Sequence, residues 1–140
     1  GRDADNLYIT CKVKDGELYS GGQGTQKGSG VFIYLDTKNE CLKEPAEGVY
    51  KVWCSYKGDI TVWQGNKGKW ENSELEGLQI TPSVVSGGYE LAFTIPLNRS
   101  FNKDAMRLCA TLSTKTYTET LVHSNADRSC TWMKMNLGGH

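Results

Sequence analysis

Residues 48–70 read GVYKVWCSYKGDITVWQGNKGKW. Residues 49–56 and 60–64 are rich in β-branched and aromatic side chains, and Lys57, Gly58 and Asp59 stand between them. Two such runs joined by a short Gly/Asp turn predict a β-hairpin. Side chains alternate between the faces of a strand. With Tyr50, Val52 and Cys54 turned into a core, Lys51 and Trp53 turn out. With Ile60 and Val62 turned in, Thr61 and Trp63 turn out. Upstream, residues 31–35 repeat the pattern: Val31, Ile33 and Leu35 inward, Phe32 and Tyr34 outward. Three neighbouring strands then collect Phe32, Tyr34, Trp53 and Trp63 on the side of a sheet away from the core.

Outward aromatic rings expose apolar area, and a cluster of them marks a binding surface. Flat rings flanked by Lys51, Thr61, Gln64 and Asn66 suit a sugar. The ring takes the apolar C–H face of the pyranose, and amides and ammonium take its hydroxyl rim. The competing expectation is that a second layer of chain covers the rings.

Working outward, residues 7–14 alternate Leu7, Ile9, Cys11 and Val13 with Tyr8, Thr10, Lys12 and Lys14, a half-buried strand. Asp15 and Gly16 turn the chain. Residues 20–30, rich in glycine, predict an exposed loop. The polar residues 36–39 end the second strand, and residues 40–47, with Pro45 among them, predict a loop. Trp70 stands just past a turn at residues 65–69, where an indole pins a loop to the body. Residues 78–84 form a weaker strand that Pro82 assigns to an edge. Tyr89, Leu91, Phe93 and Ile95 alternate with Glu90, Ala92 and Thr94 until Pro96. Residues 106–113 are a further strand, and 114–128 a polar segment. Residues 131–137 close the chain, with Met133, Met135 and Leu137 opposite Trp132, Lys134 and Asn136. About eight strands without helical periodicity predict an all-β chain, an antiparallel β-sandwich of jelly-roll type.

A chain of 140 residues suits one domain spanning residues 1–140. Sixteen basic and sixteen acidic residues balance to zero net charge, and no long basic run appears, which argues against nucleic acid as partner. No apolar run is long enough for a membrane-spanning helix. The five cysteines are odd in number, so at least one is free or pairs between chains. Cys11, Cys54 and Cys109 fall in predicted strands as small buried hydrophobes, while Cys41 and Cys130 fall in loops.

The succession DNLYITCKVKD, SGVFIYLDTKN, ITVWQGNKGKW and GGYELAFTIPL resembles the family-nine carbohydrate-binding modules and their DOMON-like relatives. The matching features are Leu7-Tyr8-Ile9, the strand ending at Asp36, and Gly88-Tyr89 through Ile95-Pro96, with TWMKMNL a looser match to the last strand. The family's opening Asp-Gly and Trp signature has no counterpart here. The resemblance implies a jelly-roll-like sandwich, extracellular or at the cell surface, working beside polysaccharide-degrading enzymes and gripping a sugar between two tryptophans. By residue class, Trp53, Trp63 and Trp132 are the candidates for that grip. Family members often bind calcium through carboxylates, and Asp3, Asp5, Asp36 and Glu40 are the candidate ligands the resemblance offers here. Some DOMON-like relatives bind haem, for which Met106, Met133, Met135 and His123 are the candidate ligands. No cofactor is expected of this chain.

A catalytic site needs a convergent acid, base or nucleophile. His123 and Cys130 lie close in sequence, but no third orienting group accompanies them. Glu90 and Glu119 give no paired-carboxylate signature. The glycine-rich segment lacks the GK[ST] ending of a phosphate loop. The reading is therefore a single, non-catalytic, monomeric carbohydrate-binding module within a larger chain. Its partner is a plant polysaccharide or oligosaccharide such as β-glucan, xylan or mannan, with neither nucleic acid nor membrane insertion. The site residues are Trp53, Trp63, Tyr34, Phe32, Lys51, Gln64, Asn66 and Trp132. The alternative is a protein-interaction or adhesion domain using the same sheet.

Overall fold

Alternating apolar residues need two layers to hide one face each, and the chain supplies them as two antiparallel sheets. The computed structural model describes residues 1–19, 28–114 and 127–137, and the backbone of 118–120. Its strands are β1 (Asn6–Lys14), β2 (Gly30–Asp36), β3 (Val49–Ser55), β4 (Ile60–Asn66), β5 (Lys69–Asn72), β6 (Gln79–Val85), β7 (Gly88–Pro96), β8 (Ala105–Ser113), β9 (Thr118–Thr120) and β10 (Met133–Asn136). A 3₁₀ turn, Ser129–Thr131, precedes β10. The smaller sheet has the order β1-β7-β6 and the larger one β10-β8-β2-β3-β4-β5, with β9 also on β8.

The core lies between the sheets. β2 contributes Val31, Ile33 and Leu35, β3 contributes Tyr50, Val52 and Cys54, and β7 contributes Tyr89, Leu91, Phe93 and Ile95. These are the residues the alternation turns inward, and full burial of each large apolar side chain stabilises by about 1.5–3 kcal/mol. Leu7 of β1 and Met106 of β8 complete the packing. Pro82 has no N–H to donate, and it sits in β6, which among the described residues pairs with β7 alone.

Two strands differ from the sequence expectation. Residues 69–72 form β5, paired with β4 through a two-residue turn in which Lys67 and Gly68 both have positive φ, 50° and 86°. That is the mirror-image turn whose twist suits a hairpin. Trp70 is thus a strand residue rather than a loop pin. β9 falls inside the segment read as polar loop. Most of the glycine-rich loop, residues 20–27, and His123 lie outside the described residues.

Candidate functional site

Residues directly opposite on paired strands share a face. Tyr34 of β2 faces Lys51 of β3, and Lys51 faces Trp63 of β4. One rung away, Phe32 faces Trp53. On the β5 side Gly65 faces Trp70. Every one of these side chains stands on the outer face of the larger sheet, as the alternation requires.

Lys51 is at the centre. Its Nζ lies 4.9 Å from the Trp63 ring centroid, 5.2 Å from Phe32, 5.8 Å from Tyr34 and 5.9 Å from Trp70. Each approach is within cation–π range. Burial among the rings pushes the Lys51 pKa below the ordinary lysine value, and the negative charge of Asp127 opposes that shift. Phe32 ties the rings together. Its centroid is 4.8 Å from Trp53, 6.3 Å from Tyr34 and 6.4 Å from Trp63.

The outer rings fall into two groups. Trp53 is 3 % exposed, Trp132 3 % and Tyr34 6 %, whereas Phe32, Trp63 and Trp70 are half-buried. This corrects the expectation that Trp53, Tyr34 and Trp132 offer ring faces to a ligand. None of the three lies between the sheets. Trp53 lies over Gly30, where an added Cβ would stand 2.5 Å from the indole. Tyr34 and Trp132 join Val49, Cys109, Leu42 and Trp70 in a second apolar cluster, and burial raises the Tyr34 phenol to about 12.

The cover over that cluster comes from the loop between β2 and β3 and from the 3₁₀ turn. Asp36, fully buried, accepts from the N–H groups of Glu40 (3.2 Å) and Cys41 (3.0 Å) and from Ser129 Oγ (2.8 Å). Leu42 N–H donates to Ser129 Oγ at 2.7 Å, and Cys130 N–H donates to Leu42 O at 3.0 Å. One carboxylate therefore pins two distant segments and seats Leu42 on the rings. Farther along, a Cβ on Gly65 would collide with the backbone of Ala46, so only glycine lets this loop lie on β4.

Gln64 and Asn66 do not belong with the rings. Gln64 faces Tyr50, a core residue, and so occupies the opposite side of the sheet from Trp63. Its Oε1 accepts from Gly48 N–H at 3.0 Å. Asn66 Nδ2 donates to both Glu71 carboxylate oxygens, at 3.1 and 3.2 Å. Both residues line a polar groove of about 350 Å³ with Glu47, Glu71 and Ser73, and no aromatic residue is part of its lining. Sequence reasoning missed two residues of the aromatic site. Trp70 is one. Asp127 is the other: its Oδ1 accepts from Trp70 Nε1 at 3.0 Å across 57 residues of sequence. The Gly68 turn signals the first, but nothing local signals the second.

Two of the carboxylates considered for calcium, Asp3 and Asp36, are engaged elsewhere. Asp3 closes a turn, accepting from the N–H groups of Asp5 and Asn6 and from the Tyr8 hydroxyl, which together lower its pKa. The oxygens of Asp36 hold the loop described above. Among the described residues no three or more His, Cys, Asp or Glu side chains group as metal ligands. The methionines considered for haem are divided: Met106 is fully buried in the core and Met133 is exposed.

No family model and no curated protein matches the sequence. Solved structures do match. A family-nine carbohydrate-binding module from Caldicellulosiruptor kristjanssonii in complex with cellotriose superposes with a TM-score of 0.79 at 15 % identity, covering 99 % of this chain and 72 % of that one. The same module in complex with glucose gives 0.79 and 15 %, covering 99 % and 74 %. The two-sheet architecture is thus the fold seen in these family-nine carbohydrate-binding modules.

Proposed function

We propose that this chain is a non-catalytic carbohydrate-binding module that holds an oligosaccharide on the outer face of its larger sheet. The observation that carries this reading is the set of half-buried rings, Trp63, Trp70 and Phe32, gathered around the Lys51 ammonium outside the sandwich core. Indole faces receive the C–H face of a pyranose, and Lys51 donates to its oxygens. Trp70 is held in orientation by Asp127. The fold it shares with modules solved with cellotriose and glucose supports the same class of ligand. The ligand is a plant β-linked polysaccharide, and the module works outside the cell, as a monomeric unit directing an appended enzyme to it.

Ring contacts worth about 1 kcal/mol each beyond burial give affinities of about micromolar to millimolar. Affinity electrophoresis against cellulose derivatives, xylan, mannan and xyloglucan tests the reading. Trp63→Ala is expected to abolish retardation on the retained polymer while the melting temperature stays close to that of the parent. A mutant retarded as strongly as the parent would sink the assignment of this face.

A further inference from the structure

The centre of the site is charged, and its charge has no direct partner. Among the described residues, rings surround Lys51 Nζ on several sides, and no hydrogen-bond acceptor touches it. The ion pair within 4.0 Å that the described residues form, Lys38 with Glu47, lies elsewhere. Asp127 acts on Lys51 through its field, while its Oδ1 is engaged by Trp70 Nε1. An ammonium drawn partly out of water keeps three N–H donors, and aromatic quadrupoles attract the charge without accepting those protons in the manner of an oxygen. Hydroxyl oxygens of a neutral sugar would satisfy the donors without adding a counter-charge to the field of Asp127. A carboxylate does both, and the resulting charge-assisted hydrogen bonds are the stronger kind.

We propose that the aromatic site selects acidic sugars, with a uronate carboxylate docking on Lys51 Nζ while the pyranose ring stacks on Trp63 or Trp70. This rests on the carbohydrate reading of the face and narrows it to a ligand class. The same cation disfavours amino sugars, whose ammonium would meet Lys51 at close range among apolar rings.

Isothermal titration with matched oligosaccharides separates the two readings. The probes are a xylo-oligosaccharide bearing one glucuronate branch, the unbranched oligomer of equal length, and a galacturonate oligomer that presents the carboxylate on every ring. The expected result is about tenfold tighter binding of an acidic oligomer than of the unbranched one, the worth of one charge-assisted hydrogen bond. That ratio falls as salt is raised, because the contact is electrostatic and partly exposed. Lys51→Met preserves the aliphatic stem between the rings, and its acidic-to-neutral ratio is expected to fall to about one, with Lys51→Arg restoring a preference. Equal affinity for acidic and neutral oligomers in the parent overturns the proposal and leaves the carbohydrate reading standing. An acidic preference that survives in Lys51→Met also overturns it, since the carboxylate then docks elsewhere. Failure of every oligomer to bind defeats both readings. Preference for the glucuronate branch or for the galacturonate chain identifies the source of the carboxylate.

Discussion

The two faces of the larger sheet are made by the same strands and solve different problems. Its inner face meets a second sheet, and Val31, Ile33, Val52 and Cys54 are sealed there with almost no polar company. Its outer face has no sheet to meet. There, Tyr34 and Trp132 are buried with Leu42 of the covering loop and Trp53 is buried against Phe32 and over Gly30, while Phe32, Trp63 and Trp70 keep part of their surface in solvent around a lysine. An apolar side chain on a strand is thus not evidence of one environment. The inner face is closed by regular pairing. Among the described residues, the outer face is closed where a loop and a turn reach, and Phe32, Trp63 and Trp70 stay partly in solvent beside them.

The sharpest way to break this comparison is to empty the outer face at its buried and half-open positions. Trp53→Ala removes an indole packed on Phe32 and over Gly30. It is expected to destabilise by about 3–5 kcal/mol, as a large core truncation does. Trp63→Ala is expected to cost about 1 kcal/mol or less in stability, because the ring is partly in water already and surface changes are small. Urea unfolding of the two variants checks the contrast. Equal losses would mean that the two tryptophans have the same job.

A smaller loss is expected from the pin that lays the cover down. Asp36→Ala leaves the N–H groups of Glu40 and Cys41 without their acceptor and frees Ser129 Oγ, which positions Leu42. Stranding these partly buried donors costs up to about 1–3 kcal/mol. Tryptophan fluorescence sharpens the result. Leu42 and the 3₁₀ turn hold Trp132 and Trp70, so emission is expected to shift to the red in the folded mutant. An unshifted spectrum with lowered stability would confine Asp36 to the loop and detach it from the rings.

How far the residues themselves announce all this depends on distance along the chain. The inner core is legible because alternation is local: Tyr89, Leu91, Phe93 and Ile95 sit where period two puts them. The outward turn of Phe32, Lys51 and Trp63 is legible for the same reason. Alternation also places Gln64 opposite Trp63, so grouping Gln64 and Asn66 with the rings mistakes nearness in sequence for nearness on a face. The burial of Trp53 and Trp132 is not legible. That of Trp132 depends on Asp36 meeting Ser129, 93 residues away, and that of Trp53 on Gly30 leaving room for the indole. Asp127 on Trp70 is hidden likewise, since no short pattern couples positions 57 residues apart.

The mildest test uses the thiols, which sample both faces and the loops and leave the fold intact. None of the five cysteines forms a disulfide in the structure. Cys54 faces the core and burial pushes its thiol up to about 12. Cys11 is pushed up to about 11 by the same cause. Cys109 is buried on the outer side beside Tyr34 and Trp132, and Cys41 is exposed in the covering loop. The reactive species is the thiolate, and a raised pKa keeps a thiol protonated and inert at neutral pH. A disulfide reagent at pH 7.5 is therefore expected to label Cys41 fastest and to leave Cys54 and Cys109 unmodified until the chain unfolds. The sign for stability follows. Thiols raised in the folded state are protonated in both states below the ordinary thiol value of 9.0. Above it the unfolded chain ionises first, so Cys11 and Cys54 cost stability as pH climbs from 9.0 toward about 11 and 12. Prompt labelling of Cys109 in the folded protein would show that the outer cover opens, and that the outer face is less closed at its buried end than the inner one.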